Sequence, residues 1–246
     1  MGFAHPHTAL AFHAPPAFHV QSKRYHPLNR PLRHTCSFQR RGSAIDTISY
    51  ALRKKPIVTA ITRDADLTDA LSSSANVAFL LGADILTLAG TVERLHAAGK
   101  LSFVHLDLMT GIARDTSGIR YLAETIGVDG VVTTRTSLIA AAKQHGLIAV
   151  QRTFILDSVS IDQTLKMLQD SRPDAIEVLP GLVIPHVMHL LKPSRHTPII
   201  AGGLLSTPEH VRSVLTAGCI GASTSSRILW RWQDAGFPDG PEASWT

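Results

Sequence analysis

The chain has 246 residues, 44% of them hydrophobic and 17% charged. That balance suits one globular domain with a sizeable core, and a single (β/α)8 barrel needs roughly 200 to 250 residues. No run of about eighteen apolar residues occurs, which excludes a membrane-spanning helix. The two cysteines, Cys36 and Cys219, form neither a disulfide framework nor a metal-ligand spacing, in keeping with a reducing cytoplasm.

The net charge of +5 belongs to the start of the chain. Of the 24 basic residues, six (Lys23, Arg24, Arg30, Arg33, Arg40 and Arg41) precede the first acid, Asp46, leaving 18 basic against 19 acidic residues downstream. Residues 1–42 also hold six of the thirteen histidines and five prolines, without apolar periodicity. This composition predicts a disordered basic extension. It fits a non-functional extension, a basic arm for nucleic acid, or an acid-poor targeting peptide, although it is poor in serine and has no clear amphipathic helix. The irregular histidine spacing gives no metal site.

From residue 57 short apolar runs alternate with amphipathic stretches. The expected strands are Ile57–Ile61, Val77–Leu81, Ser102–Leu106, Gly130–Thr133, Ile148–Arg152, Ala175–Leu179, Ile199–Ala201 and Ile220–Ser223. They are rich in Val, Ile and Leu without alternation, as parallel strands covered on both faces are. Between them the pattern predicts helices over Asp66–Ser73, Val92–Ala98, Ile119–Ile126, Leu138–His145, Ser160–Gln169 and Pro185–Leu191. Thr207-Pro208-Glu209 opens another, closed at Gly218, and a last helix starts near Ser225 or Ser226. Eight such units across residues 43–232 predict one closed (β/α)8 barrel, with a flexible tail over residues 233–246. The first βα turn, Thr62-Arg63-Asp64, lacks the glycine fingerprint of a dinucleotide-binding fold.

In such a barrel the working face lies at the C-terminal strand ends. Gly202 and Gly203 close strand 7, and Ser223, Thr224 and Ser225 close strand 8 and open a helix. Small residues allow backbone amides to approach an anion, and a helix N-terminus favours a dianion. Two separate loops thus agree on a phosphate site, although tight turns and a helix cap alone would use the same residues. His105 and Asp107, two apart on a strand, point to one face, either as a base with its carboxylate or as a pair holding a ligand hydroxyl. Glu177, between Ile176 and Val178, points into the barrel mouth or serves as a structural carboxylate. Arg63, Arg135 and Arg152 are candidate RNA contacts or partners of Asp64, Asp107 and Glu177. The mouth has no strand-end lysine for Schiff-base chemistry and no ligand cluster for a metal, so neither catalytic residues nor a cofactor are expected.

These segments resemble the glycerol-3-phosphate-responsive antiterminators of bacterial glycerol operons. The resemblance rests on Phe79-Leu80-Leu81 with Asp84-Ile85-Leu86-Thr87-Leu88, and on Val104-His105-Leu106-Asp107-Leu108. It continues through Gln151-Arg152 with Leu156-Asp157-Ser158, through Asp174–Gly181, and through Pro198-Ile199-Ile200-Ala201-Gly202-Gly203-Leu204. Ser223-Thr224-Ser225 with Leu229-Trp230 completes it, so that roughly residues 50–231 match in order. The resemblance implies a cytoplasmic, non-enzymatic regulator with sn-glycerol 3-phosphate as effector and leader mRNA of glycerol operons as partner. The effector phosphate then falls on Gly202, Gly203, Ser223, Thr224 and Ser225, and the glycerol hydroxyls on His105, Asp107 or Glu177. The family favours lysine near Arg135, which keeps the charge but not the geometry. Without the resemblance, the same residues allow a barrel enzyme acting on a small phosphorylated substrate, or a degenerate barrel serving as a scaffold.

Overall fold

The computed structural model describes residues 1–2, 43–191 and 197–237. The expected extension and most of the expected tail fall outside these residues. Eight parallel strands close into a barrel in sequence order: β1 Ile57–Ile61, β2 Val77–Leu80, β3 Leu101–His105, β4 Gly130–Thr133, β5 Ile148–Phe154, β6 Ala175–Leu179, β7 Ile199–Gly202 and β8 Gly221–Thr224. The ring shuts where Val58 of β1 lies beside Ser223 of β8. All eight expected strands are present, with ends displaced by at most a few residues.

The helices are α1 Ala44–Lys54, α2 Asp64–Ser72, α3 Ile85–Ala97, α4 Thr116–Tyr121, α5 Thr136–Gln144, α6 Ser158–Ser171, α7 Ile184–Leu191, α8 Pro208–Thr216 and α9 Arg227–Asp234. Several differ from the sequence expectation for local reasons, and α1 was not expected. Helix α3 starts two turns early because Asp84 caps it, accepting from the Leu86 amide at 2.8 Å. Helix α4 is capped by Asp115 and widens at Leu122–Ile126 into a π-turn. Helix α9 runs through residue 233, where the tail was expected to begin. There the buried Gln233 side chain accepts from the Ile57 amide at 2.8 Å.

Alternation along each strand sorts the core into two layers. Ile57, Ala78, Val104, Val131, Ala149, Ile176, Ala201 and Ala222 face outward and pack against the helices. Val58, Val77, Phe79, Leu101, Phe103, Val132, Ile148, Val150 and Ile200 fill the barrel interior. Gly130 is small because a methyl group there would run into the Phe103 ring.

Helix α1 joins the inner layer. Its Ile48, Ala51 and Leu52 are fully buried among the lower interior residues. The Asn76 side chain donates to the Ala51 carbonyl at 2.9 Å. The helix therefore seals the N-terminal end of the barrel, and each buried aliphatic side chain contributes on the order of 2 kcal/mol. Among the described residues, the C-terminal end is the one left open to solvent.

Candidate functional site

The open end is organised by one chain of polar side chains. Register places Arg152 of β5 beside Glu177 of β6, and both side chains turn inward. Arg152 Nε donates to Glu177 Oε2 at 2.6 Å, with the side chains 10% and 1% exposed. Ser223, inward on β8, donates its hydroxyl to Glu177 Oε1 at 2.5 Å. Between them, Gly202 of β7 leaves the room for that bond. A methyl group on Gly202 would lie 2.7 Å from Oε1 and 2.8 Å from the Ser223 hydroxyl.

Above this chain lies a cavity of about 320 Å³. Its polar lining includes Arg152, Glu177, Thr224 and Ser225 together with the Gly203-Leu204 turn, and Ala60, Leu81 and Leu179 supply apolar wall. Gly203 and Leu204 both adopt left-handed backbone, φ +72° and +60°. Leu204 carries the cost of a side chain in that region, a kind of strain that gathers at ligand sites.

Thr224 ties the two last loops together. Its hydroxyl donates to the Leu205 carbonyl at 2.9 Å and accepts from the Ser226 amide at 3.1 Å. The Trp230 indole donates to the Thr224 carbonyl at 2.9 Å. Among the described residues, the amides of Gly203, Leu204 and Ser225 donate to no other protein group. The first turn of α9 begins beside them. Free amides, the Ser225 hydroxyl and a helix N-terminus thus border one cavity, a donor set suited to an anion.

The other expected residues separate. His105 ends β3, is 2% exposed, and neither ring nitrogen has a hydrogen-bond partner. Burial, helped by the positive Arg152, pushes its pKa down to about 4, so the imidazole is neutral. Asp107 does not share the face of His105 as a two-residue strand spacing would require. The chain leaves the strand at His105 and coils into a 3-10 turn, Leu106–Leu108. Asp107 instead accepts from the Thr134 amide at 2.7 Å, from the Thr133 hydroxyl at 3.0 Å and from Arg135 Nε at 3.1 Å. Burial would raise its pKa, but these bonds outweigh it and hold the carboxyl below its ordinary value. Asp107 thereby orders the turn after β4 and does not line the cavity.

The three arginines also divide. Arg63, 73% exposed, pairs with Asp66 at 3.1 Å, and Arg135, 51% exposed, with Asp107. Arg152, grouped with them as an RNA contact from sequence, faces the cavity. The alternation along β5 and its register with Glu177 carry that signal, and charge alone does not. Leu205, Ser206, Ser223 and Ser226 complete the lining; Leu205 and Ser206 were not singled out from sequence, because loop residues have no periodicity to place them. Cys219 is buried, which pushes its thiol pKa up to about 12 and leaves it unreactive. No helix among the described residues is long and apolar enough to cross a membrane.

Comparison with known proteins identifies the family. Residues 57–230 match the family model described as glycerol-3-phosphate responsive antiterminator. The Escherichia coli (strain K12) protein YgcP is 33% identical over 181 residues, covering 74% of this chain and 94% of that protein. Among solved structures, the glycerol uptake operon antiterminator regulatory protein of Listeria monocytogenes is 33% identical, with a TM-score of 0.68 over 72% of this chain and 95% of that one. A glycerol uptake operon antiterminator-related protein of Thermotoga maritima is also 33% identical, with a TM-score of 0.65 over 72% of this chain and 98% of that one. With nearly the whole barrel matched, the chain belongs to the glycerol-3-phosphate-responsive antiterminator family.

Proposed function

We propose that this chain is a cytoplasmic, non-catalytic sensor that binds sn-glycerol 3-phosphate in the barrel mouth and, when loaded, engages the leader mRNA of a glycerol operon to prevent premature termination. The observation that carries the reading is one cavity lined both by anion donors and by a buried polar chain. The phosphate sits against Gly203, Thr224 and Ser225, held by the free amides, the Ser225 hydroxyl and the start of α9. Gly202 and Ser223 act beneath it by fixing Glu177. The glycerol hydroxyls meet Arg152 and Glu177, with His105 behind them. Asp107 contributes indirectly, by ordering the β4 turn.

The same geometry favours a sensor over an enzyme. Both Glu177 oxygens are already hydrogen-bonded, to Arg152 and to Ser223, so the carboxylate is engaged by the protein itself and not held free to face a reacting proton. For RNA, Arg63 and Arg135 are the exposed contacts, on the turns after β1 and β4. Coupling requires that the effector favour the RNA-competent arrangement of these turns.

Thermal denaturation with phosphate esters tests the ligand. At about a hundredfold excess over Kd, glycerol 3-phosphate should add about 2.7 kcal/mol and raise Tm by roughly 5 to 10 °C. Glycerol or inorganic phosphate alone should give much less. Equal shifts from phosphate and glycerol 3-phosphate would show that the hydroxyl end contributes nothing, and no shift at all would remove the sensor reading.

A further inference from the structure

The four turns after β5, β6, β7 and β8 share a second property. Each exposes large apolar side chains: Phe154 (48% exposed), Leu156 (81%) and Val159 (59%) after β5, Leu182 (37%) after β6, Leu204 (69%) after β7 and Ile228 (65%) after β8. The turns adjoin in the ring. Phe154 lies in register with Leu179, just before the β6 turn, and the Gly181 amide donates to the Gly203 carbonyl at 3.2 Å. The six side chains therefore form an arc along one half of the open end. Their combined exposed area is on the order of 600 Å², at the upper limit for the largest apolar patch of an ordinary monomer and approaching the roughly 800 Å² per partner of a stable dimer.

Charge decides what covers the arc. Along these four turns, residues 153–160, 179–187, 202–210 and 224–230, the charged residues are Asp157, Glu209 and Arg227. Asp157 caps α6 by accepting from the Ser160 amide, Glu209 pairs with Arg212, and Arg227 pairs with Asp66 and Asp69. No uncompensated cation is left here to hold RNA phosphates. The face is apolar and carries one charge without an ionic partner, Asp157, which suits a twofold contact, because each copy presents the same patch and little unpaired charge is brought together.

We propose that the arc is a self-association surface on which two copies of this chain meet about a twofold axis. Leu204 belongs to both the arc and the cavity lining, so association covers the ligand site. The linkage to ligand rests on the function proposed above. A phosphate held by the Gly203, Leu204 and Ser225 amides fixes two of the four turns, and so tightens the dimer.

Sedimentation velocity of the full chain, with and without glycerol 3-phosphate, tests this. The expected result is a monomer–dimer equilibrium at micromolar protein that tightens by about tenfold or more with ligand, and a Leu156→Glu/Val159→Glu variant that stays monomeric. Both positions are exposed, Leu156 ahead of the α6 cap and Val159 in its first turn, where an acid is favourable, so the variant retains its fold. Its Tm and its thermal shift with glycerol 3-phosphate serve as the control.

Wild-type protein that is monomeric with and without ligand, or a variant that dimerises as tightly as wild type, overturns the proposal. So does a monomeric wild type whose leader-RNA binding is lost in the variant, since RNA then covers the arc. A dimer broken by the variant, in protein that shows no thermal shift with glycerol 3-phosphate, sustains the surface and overturns the ligand linkage together with the sensor reading.

Discussion

His105 and His96 are two buried or half-buried histidines that titrate in opposite directions. His105 has no partner and is held neutral with a pKa of about 4, below its ordinary 6.5. The unfolded chain takes up that proton first on acidification, so stability should fall as pH drops from 6.5 towards 4, by on the order of 3 kcal/mol. His96 bonds Asp129 at 2.8 Å, which raises its pKa. Its contribution is complete below the unfolded value and is lost as pH rises through the folded one. Urea midpoints across this range should show the acid loss disappear in His105→Leu and the loss on the alkaline side disappear in His96→Gln. An unchanged acid limb in His105→Leu would show that the imidazole is not held neutral. Glu177 was legible as an inward residue because Ile176 and Val178 flank it. Arg152 was not, since a strand-end arginine looks like a surface residue until its register with Glu177 is known. Asp107 was misplaced because a strand that stops two residues early looks the same in sequence as one that continues.

At the scale of elements, all eight strands were legible, since runs buried on both faces stay apolar along their length. Helix starts were less so. Helix α1 went unrecognised although Ser43 and Asp46 form a capping box, with the Asp46 amide 3.3 Å from the Ser43 hydroxyl and the Ser43 amide 3.0 Å from Asp46. The signal adjoined a segment that dominated the composition and hid it. The helix is worth more for what it fills than for its cap. Ser43→Ala should cost about 1 kcal/mol, whereas Leu52→Ala should cost about 2–5 kcal/mol by leaving a void under the inner core. Denaturant unfolding separates the two, and equal small losses would mean the seal is not integral. A second device recurs at the sealed end. Asp129 and Asp174 each lie just before a strand and accept from an amide of the preceding strand, Ser102 and Ala149, at 2.8 and 2.9 Å. Each also meets a base from the helix in front, His96 or Lys143 at 3.1 Å. The same clamp recurs two units apart and ties the lower rim together.

Across the whole molecule the open rim has two characters. The turns after β1, β3 and β4 hold Arg63, Arg114 and Arg135, with Leu86 and Leu108 as exposed apolar residues of that half, and those after β5 to β8 hold the apolar arc. Leader-RNA binding by the barrel should therefore depend on the first half. Arg63→Gln and Arg135→Gln should each weaken binding at every sequence tested and lower the salt slope by about 1. Binding titrations at several salt concentrations check this, and slopes equal to wild type would move the RNA elsewhere. The division was invisible in sequence because net charge sums over a surface, while RNA and protein partners meet only one side of it.

The packed interior, with α1 sealing it from below, gives the barrel the shape of a cup. A molecule resting on the Arg152–Glu177 floor has a single doorway, and whatever stands in that doorway sets how long the molecule stays. Dwell time should then follow the company the protein keeps: short when the rim is bare, long when a neighbour lies across it. A response that outlasts a brief dip in metabolite supply would come from the closed bottom of the vessel, without any moving part.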